Sequence, residues 1–152
     1  MFKKFLKLLI YFALINNMNA AKEGTGYNKG AKNNQLSKIT KLLDSKNYKK
    51  AIILLEKEIN KDKSNADLYN LLGYAYRSEN KFDLSIKSYE KALTIDPNHL
   101  GVHNYIGITY LKIGKVNKSK IHLQKLYELC KGKCEEYKSL KKELSNTLKN
   151  EN

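Results

Sequence analysis

The chain has 152 residues, of which 41% are apolar and only one is proline, a length and composition that suit one helical domain rather than several. Its formal net charge is +14, from 29 lysines and arginines against 15 acidic residues. The lysines are scattered rather than clustered, so the charge alone does not indicate a nucleic-acid site.

Residues 1–21 have the pattern of a secretory signal peptide. Three lysines lie within the first seven residues, Leu8–Ile15 form a short apolar segment, and the small residues Ala20 and Ala21 follow. A membrane-spanning helix needs roughly 20 apolar residues, so cleavage is favoured over anchoring. An uncleaved helix that lies on the membrane is the alternative. We therefore expect a periplasmic or secreted protein with no stable membrane insertion after signal cleavage.

Two weakly patterned segments come next. Residues 22–35 are rich in glycine, asparagine and lysine without periodicity, and we interpret them as a flexible leader. Residues 36–65 carry apolar side chains at helical spacing, including Leu42, Tyr48, Ala51 and Leu55. We interpret them as a first helix hairpin that packs less tightly than the unit after it.

Residues 66–99 carry the clearest pattern in the chain. Their apolar residues fall on two helical stripes, which predicts two amphipathic helices. Asn80, between the helices, favours the left-handed conformation that ends a helix, and Pro97 terminates the second one. Gly73 and Ala92 are small where two helices of a hairpin approach closely. One hairpin cannot bury its apolar stripe alone, so neighbouring hairpins are expected.

This segment resembles a tetratricopeptide repeat, a 34-residue pattern. The resemblance rests on Tyr69, Leu72, Gly73, Tyr76, Phe82, Tyr89, Ala92 and Pro97. It implies an all-α fold, a right-handed superhelical array of about three hairpins plus a C-terminal capping helix. The repeats are predicted at about 36–65, 66–99 and 100–133, and the capping helix at 134–149. Taken whole, the chain resembles small exported tetratricopeptide proteins of bacterial envelopes.

The third repeat and the cap are less regular. Gly107 and Gly114 stand at repeat positions, and Gly114 is the expected helix stop, but no proline closes the unit. Residues 134–149 place Tyr137, Leu140 and Leu144 on one stripe among lysines and glutamates. A solenoid needs such a terminal helix with a polar outer face.

The two cysteines are predicted to form a disulfide. Cys130 and Cys134 are separated by three residues, and Gly132 allows that link to turn tightly. An exported chain meets an oxidising compartment, where an even number of cysteines favours pairing. Two free, partly buried thiols are the alternative.

The sequence gives little support for catalysis or for metal binding. His99 and His103 are four residues apart, which makes at most a pair, and a metal site needs three or four converging ligands. No serine or cysteine lies in a recognisable nucleophile motif. We therefore expect no enzyme activity, no cofactor and no metal.

The function is expected in the concave groove that the resemblance implies, which the first helix of each hairpin lines. The groove residues predicted in this way are Asn70, Tyr74, Arg77, Asn104, Ile108 and Lys112. Amide side chains can hydrogen-bond a peptide backbone without reading its sequence, and Arg77 and Lys112 can contact carboxylates. We therefore expect an exported interaction module that binds a peptide or an envelope protein of unknown identity. The alternative is a positively charged adaptor on anionic envelope polymer or lipid. Nucleic acid is not expected, because no aromatic-interleaved basic stripe appears.

Overall fold

The computed structural model describes residues 26–150. The described part consists of helices joined by short turns and contains no strand: α1 Gly26–Asp44, α2 Tyr48–Lys61, α3 Ala66–Ser78, α4 Phe82–Ile95, α5 Leu100–Lys112, α6 Val116–Cys130 and α7 Glu135–Asn150. The predicted signal peptide of residues 1–21 lies outside the described residues. The expected all-α array of hairpins with a capping helix is confirmed.

Helix α1 begins earlier than expected. Residues 22–35 were predicted to form a flexible leader, but the chain is helical from Gly26. Extending a formed helix adds one hydrogen bond for each residue ordered, which is far easier than nucleating a new one. The packed turns around Ile39 and Leu43 can therefore extend into the polar residues before them. The residues from Ile39 onward belong to one compact unit.

The turns inside the three hairpins each contain a residue with left-handed backbone conformation. Lys46, Asn80 and Gly114 occupy equivalent positions of successive repeats, and each has a positive φ, of 58°, 59° and 71°. Asparagine and glycine adopt this left-handed conformation most easily, and both were predicted to end their helices. Lys46 adopts the same conformation without that intrinsic preference, because the first hairpin makes the same turn. Pro97 follows the end of α4, as predicted.

Three apolar clusters hold the unit from Ile39 onward together. The first joins the end of α1 to α2 and α3 and includes the fully buried Ile39 and Leu55. The second joins α4 to α5 around Tyr89. The third joins α5, α6 and α7 around Leu126 and Leu140. Each cluster combines side chains from consecutive helices, as expected when a hairpin buries its stripe against its neighbours.

Gly73 marks the closest approach within the central hairpin. A Cβ atom there would lie 2.5 Å from Cε1 of the fully buried Tyr89. Ser85 strengthens the same contact, because its buried hydroxyl donates a 2.8 Å hydrogen bond to the Gly73 carbonyl. The two helices of the central hairpin, α3 and α4, thus approach closely through small residues, as the sequence predicted.

Helix α7 packs across α5 and α6. Leu140 is fully buried and lies over Gly107, where an added Cβ would come 2.5 Å from the leucine Cδ2. Leu144, one turn later, is also buried, while most other α7 side chains face solvent. The helix therefore closes the array with an apolar inner stripe and a polar outer face. Within residues 26–150, no helix is both long and apolar enough to span a membrane.

Candidate functional site

An arginine side chain contacts two tyrosine rings where α3 meets α5. The Arg77 guanidinium carbon is 5.3 Å from the ring centroid of Tyr74 and 5.5 Å from that of Tyr105. The two ring centroids are 5.8 Å apart, with their planes tilted by 48°. Both distances fall in the range of a cation–π contact, which is strongest when the site is shielded from water. The contact holds the arginine side chain against both helices.

Two further tyrosines extend this aromatic cluster. The Tyr48 ring meets Tyr74 edge to face at 6.3 Å, and Tyr89 lies 6.4 Å from Tyr105. Burial raises the pKa of the Tyr74 hydroxyl, and the neighbouring Tyr48 raises it further. Burial also raises the pKa of Tyr89. The hydroxyls therefore stay protonated at neutral pH and can donate hydrogen bonds.

The same region contains most of the buried polar atoms that lack a partner. Five buried side-chain polar atoms among the described residues make no hydrogen bond, and four of them belong to Asn70, Arg77, Tyr89 and Asn104. The fifth is the Ser119 hydroxyl. Buried polar groups in folded proteins are almost always paired, because an unpaired group costs about 1–3 kcal/mol. Unpaired groups concentrated in one place indicate a place where a ligand can supply the partners.

Three of the six predicted groove residues lie on α3, and a fourth is buried on α5. Asn70, Tyr74 and Arg77 follow one another along α3, and Asn104 lies beside Tyr105 on α5, with 7% of its surface exposed. The Asn70 amide nitrogen would lie 3.5 Å from a Cβ placed on Gly101, so Asn70 faces the start of α5. We call Asn70, Tyr74, Arg77, Asn104 and Tyr105 the α3–α5 cluster.

The other two predicted groove residues are not part of this cluster. Ile108 is half buried and packs against the apolar residues shared by α5, α6 and α7. Its place in the groove lining stays a prediction. Lys112 is exposed at the end of α5 and forms no ion pair within the described chain.

Tyr105 is the residue of the cluster that the sequence analysis missed. Its position in the repeat is next to a predicted groove position, and adjacent residues on a helix point about 100° apart. The contact with Arg77 is visible only when α3 and α5 are packed together.

Histidines pair in a way that the sequence did not predict. Nδ1 of His103 and Nδ1 of His122 are 3.0 Å apart, although the residues lie on different helices. The Nε2–H of His103 donates to the Pro97 carbonyl at 3.0 Å, and the His122 ring stacks on Tyr110 at 5.7 Å. Burial lowers the pKa of both histidines, to about 4 for His122, where His103 lowers it further. The pair is therefore neutral at pH 7 and structural in character.

His99 has a separate role. Its Nδ1 accepts a hydrogen bond from the Val102 amide and caps α5, while Nε2 lies 3.0 Å from an Asp67 oxygen. In residues 26–150 no three histidine, cysteine, aspartate or glutamate side chains converge as a metal site would require.

The two cysteines meet at the junction of α6 and α7. The sulfur atoms of Cys130 and Cys134 lie at bonding distance, with Cα atoms 5.7 Å apart. Lys131 and Gly132, between them, both have left-handed backbone, with φ of 52° and 76°. Two consecutive residues of this kind turn the chain sharply enough to bring the cysteines together. The geometry suits a disulfide that joins the last repeat to the cap.

The pattern of the tetratricopeptide repeat matches residues 66–99, which form α3, α4 and the turn that follows. Solved tetratricopeptide domains share the hairpin array. Residues 66–99 therefore form a tetratricopeptide repeat.

The similar proteins cover different shares of this chain. The uncharacterized protein ycf37 of Guillardia theta is 39% identical, over 54% of the chain and 49% of its own length. The chain thus spans about half the length of this relative. MamA of Desulfovibrio magneticus, from residue 41 to its end, is 27% identical with a TM-score of 0.62, over 65% of the chain and 56% of MamA.

A peptide complex is also similar in fold. The type III secretion chaperone SycD of Yersinia enterocolitica, in complex with a peptide of the translocator YopD, has a TM-score of 0.69. The match covers 80% of the chain and 92% of SycD, at 20% identity. At this identity the similarity concerns the fold alone.

Proposed function

We propose that this protein is an interaction module that binds an extended segment of a partner protein across the α3–α5 cluster. The segment is held mainly through its backbone amides and carbonyls. The partner is a protein or peptide, and the module performs no catalysis on it.

The observation that carries this proposal is the concentration of unpaired polar atoms in the cluster. The oxygens of Asn70 and Asn104 lack donors, and these residues stand at equivalent positions of consecutive repeats. A peptide backbone offers a donor and an acceptor at almost every residue, so an extended segment can pair with both amides after a rotation of their side chains. Each new hydrogen bond removes the penalty of a buried unpaired group.

The fold supports the same proposal. SycD, which shares the hairpin array, has been seen with a peptide of YopD. The aromatic rings beside the asparagines provide rigid apolar surface for the side chains of a bound segment. The helix hairpins position the backbone, and the side chains of the α3–α5 cluster make the proposed contacts.

We further propose that the protein works outside the cytoplasm, in the periplasm or after secretion. The support is the signal-like pattern of residues 1–21 and the bonding distance between Cys130 and Cys134, since disulfides persist in oxidising compartments. Mass spectrometry of the protein from its native host tests this location. An intact chain recovered from the cytosol with its first residue in place would contradict it.

The binding proposal is tested with peptides selected from a random display library on the purified protein. Dissociation constants are then compared for the wild type, the double variant Asn70→Ala/Asn104→Ala and the control Asn60→Ala/Asn117→Ala. The control asparagines are exposed on α2 and α6. Loss of two hydrogen bonds should weaken binding roughly 5- to 150-fold. The control should stay within about twofold, since surface changes of this kind are nearly neutral.

Two results would contradict peptide binding at the α3–α5 cluster. One is an equal loss in the two double variants, and the other is a library that yields no binder at all. Thermal melts of each variant establish that the changes in affinity do not come from unfolding.

A second candidate function is adhesion to an anionic envelope polymer or lipid. It is favoured by the net charge of +14 and by Ile53 and Ile121, which are 65% and 66% exposed on α2 and α6. Binding to anionic vesicles that weakens with salt, and that survives Arg77→Ala and Asn104→Ala, would favour this candidate over the groove.

A further inference from the structure

The lysines are scattered along the sequence, but the fold gathers six of them on one surface. The second helices of the three hairpins, α2, α4 and α6, begin at Tyr48, Phe82 and Val116 and so repeat every 34 residues. The third, sixth and tenth residues of each helix are three and four positions apart, a spacing that places them on one helical face. We call these nine residues the lysine face: Lys50, Ile53 and Lys57 on α2, Leu84, Lys87 and Lys91 on α4, and Lys118, Ile121 and Lys125 on α6.

The lysine face carries charge of one sign. It has six lysines and no acidic residue, and all nine side chains are exposed except that of Lys125, which is partly buried. None of the six lysines forms an ion pair with another described residue. The Lys118 ammonium lies 5.2 Å from the centre of the Tyr110 ring, a contact that leaves its charge uncompensated. A surface of this kind attracts a partner that is negatively charged over a comparable area.

The acidic residues of these helices lie beside the lysine face. Glu56 accepts a 2.7 Å hydrogen bond from the Tyr76 hydroxyl of α3. Burial raises the pKa of the Tyr110 hydroxyl of α5, and the neighbouring Glu90 raises it further. Both carboxylates therefore lie toward the first helix of the next hairpin. The remaining acidic residues are near helix ends: Glu58 on α2, Asp83 on α4 and Glu128 on α6.

The capping helix shows that a lysine-rich composition does not by itself produce such a face. On α7 the exposed lysines alternate with exposed glutamates, among them Glu135 and Glu143. Lys138 forms an ion pair with Glu135 at 2.6 Å. The separation of the two signs of charge is thus a property of the second helices of the hairpins.

Three aliphatic side chains lie among the lysines of the face. Ile53, Leu84 and Ile121 are 65%, 43% and 66% exposed, one on each helix. A soluble polyanion would pair with the lysines and leave these side chains in water. Single-stranded nucleic acid stacks its bases on aromatic rings, and none of the nine residues is aromatic. An anionic bilayer offers both a negative surface and an apolar layer beneath it.

We propose that the lysine face binds the surface of a membrane that contains anionic lipids. The ammonium groups meet the lipid phosphates, and the three aliphatic side chains enter the boundary between headgroups and acyl chains. This inference rests on the second candidate function and commits it to lipid rather than polymer. It is independent of the α3–α5 cluster, whose residues lie on the first helices of their hairpins. A partner segment and a membrane can therefore be bound at the same time.

The test measures how the full chain partitions onto vesicles of equimolar phosphatidylcholine and phosphatidylglycerol, with pure phosphatidylcholine as the neutral reference. The face variant removes one lysine from each of the three helices: Lys57→Gln/Lys91→Gln/Lys125→Gln. Its control removes the same charge at exposed positions outside the face: Lys63→Gln/Lys142→Gln/Lys149→Gln. Residues 1–21 are identical in all variants, so their contribution cancels in each comparison.

We expect the face variant to bind anionic vesicles roughly 30- to 150-fold more weakly, since each lysine near such a surface strengthens binding about fivefold. The control should lose less than about fivefold, through its net charge alone. Ile53→Gln/Ile121→Gln should weaken vesicle binding roughly 10-fold or more, because apolar area no longer leaves water. The same variant should bind soluble polyglutamate within about twofold of the wild type, since surface changes of this kind are nearly neutral for a ligand without an apolar layer.

Contact with lipid is observed by fluorescence, because the chain contains no tryptophan. The emission of Ile121→Trp should shift to shorter wavelength on anionic vesicles and stay unchanged on neutral ones. The matched probe is Lys112→Trp, at an exposed position of α5, and its emission should stay unchanged on both kinds of vesicle.

The inference is overturned if the two triple lysine variants lose affinity equally, or if the emission of Ile121→Trp does not shift. It is also overturned if Ile53→Gln/Ile121→Gln binds vesicles as the wild type does, since the ligand of the face is then a polyanion. Failure of the second candidate function looks different, because the wild type then binds neither vesicles nor polyglutamate. Asn70→Ala/Asn104→Ala, which tests peptide binding, should leave vesicle binding unchanged. Melting curves that match the wild type exclude a loss of fold in each variant.

Discussion

Replacing Gly73 by alanine tests the packing of the central hairpin, because the sign of the effect depends on Tyr89. In an unobstructed helix the change stabilises by about 1 kcal/mol through helix propensity. At Gly73 the new Cβ would lie 2.5, 2.6 and 2.8 Å from three atoms of the Tyr89 ring. Ordinary contact begins near 3.4 Å, so the fully buried ring would have to move by roughly an ångström.

Overpacking of this kind costs about 1–3 kcal/mol. The ring has no free space, so we place the cost at the upper end and expect a net loss of about 1–2 kcal/mol in the free energy of unfolding. The assay is urea denaturation followed by far-UV circular dichroism. Gly101→Ala is the matched control on α5, where the nearest atom would be 3.3 Å away in the His99 ring. That variant should lose less stability than Gly73→Ala, because its neighbour needs to move by only a few tenths of an ångström.

The cause is isolated by repeating the change in a Tyr89→Leu background. With the ring gone, Gly73→Ala should lose its penalty, giving a coupling of about 1 kcal/mol or more between the two sites. The reasoning is refuted if Gly73→Ala costs no more stability than Gly101→Ala, or if its cost is the same in both backgrounds.

Three further outcomes are expected. The pKa of His122, about 4, lies below the unfolded value of 6.5, so the free energy of unfolding is full above pH 6.5 and falls by roughly 3 kcal/mol as the pH drops from 6.5 through 4. In urea melts at several pH values, His122→Gln should therefore show a weaker pH dependence of this free energy than the wild type. Reducing the Cys130–Cys134 pair should cost about 2 kcal/mol and raise amide exchange mainly in α7, and full thiol labelling without reductant would contradict the bond. Leu140→Ala should cost about 2–5 kcal/mol in urea melts, against less than about 1 for the exposed Ile121→Ala; similar costs would contradict the cap packing.

The helical repeat was predictable because its signals are local. Apolar spacing marked the helices of the central hairpin, and Asn80, Gly114 and Pro97 marked their ends. The left-handed turn at Lys46 was not predictable from residue preference, since lysine has no tendency toward that conformation. It follows from the shape of the hairpin around it.

The candidate site was only partly predictable. Asn70, Tyr74, Arg77, Asn104, Ile108 and Lys112 were chosen from repeat positions and stay predictions, whereas the contact of Tyr105 with Arg77 was missed. A repeat pattern states which positions of an average hairpin face outward, but it does not state which side chains of consecutive hairpins meet.

The sequence by itself determined the period of the helices, the positions of most turns and the small residues at close approaches, because each depends on a few neighbouring residues. Only the tertiary structure decided which side chains meet across helices. The contact of Arg77 with Tyr105 and the contact of His103 with His122 both join residues from separate helices. Their distances depend on how packed helices cross, which single-residue preferences do not encode.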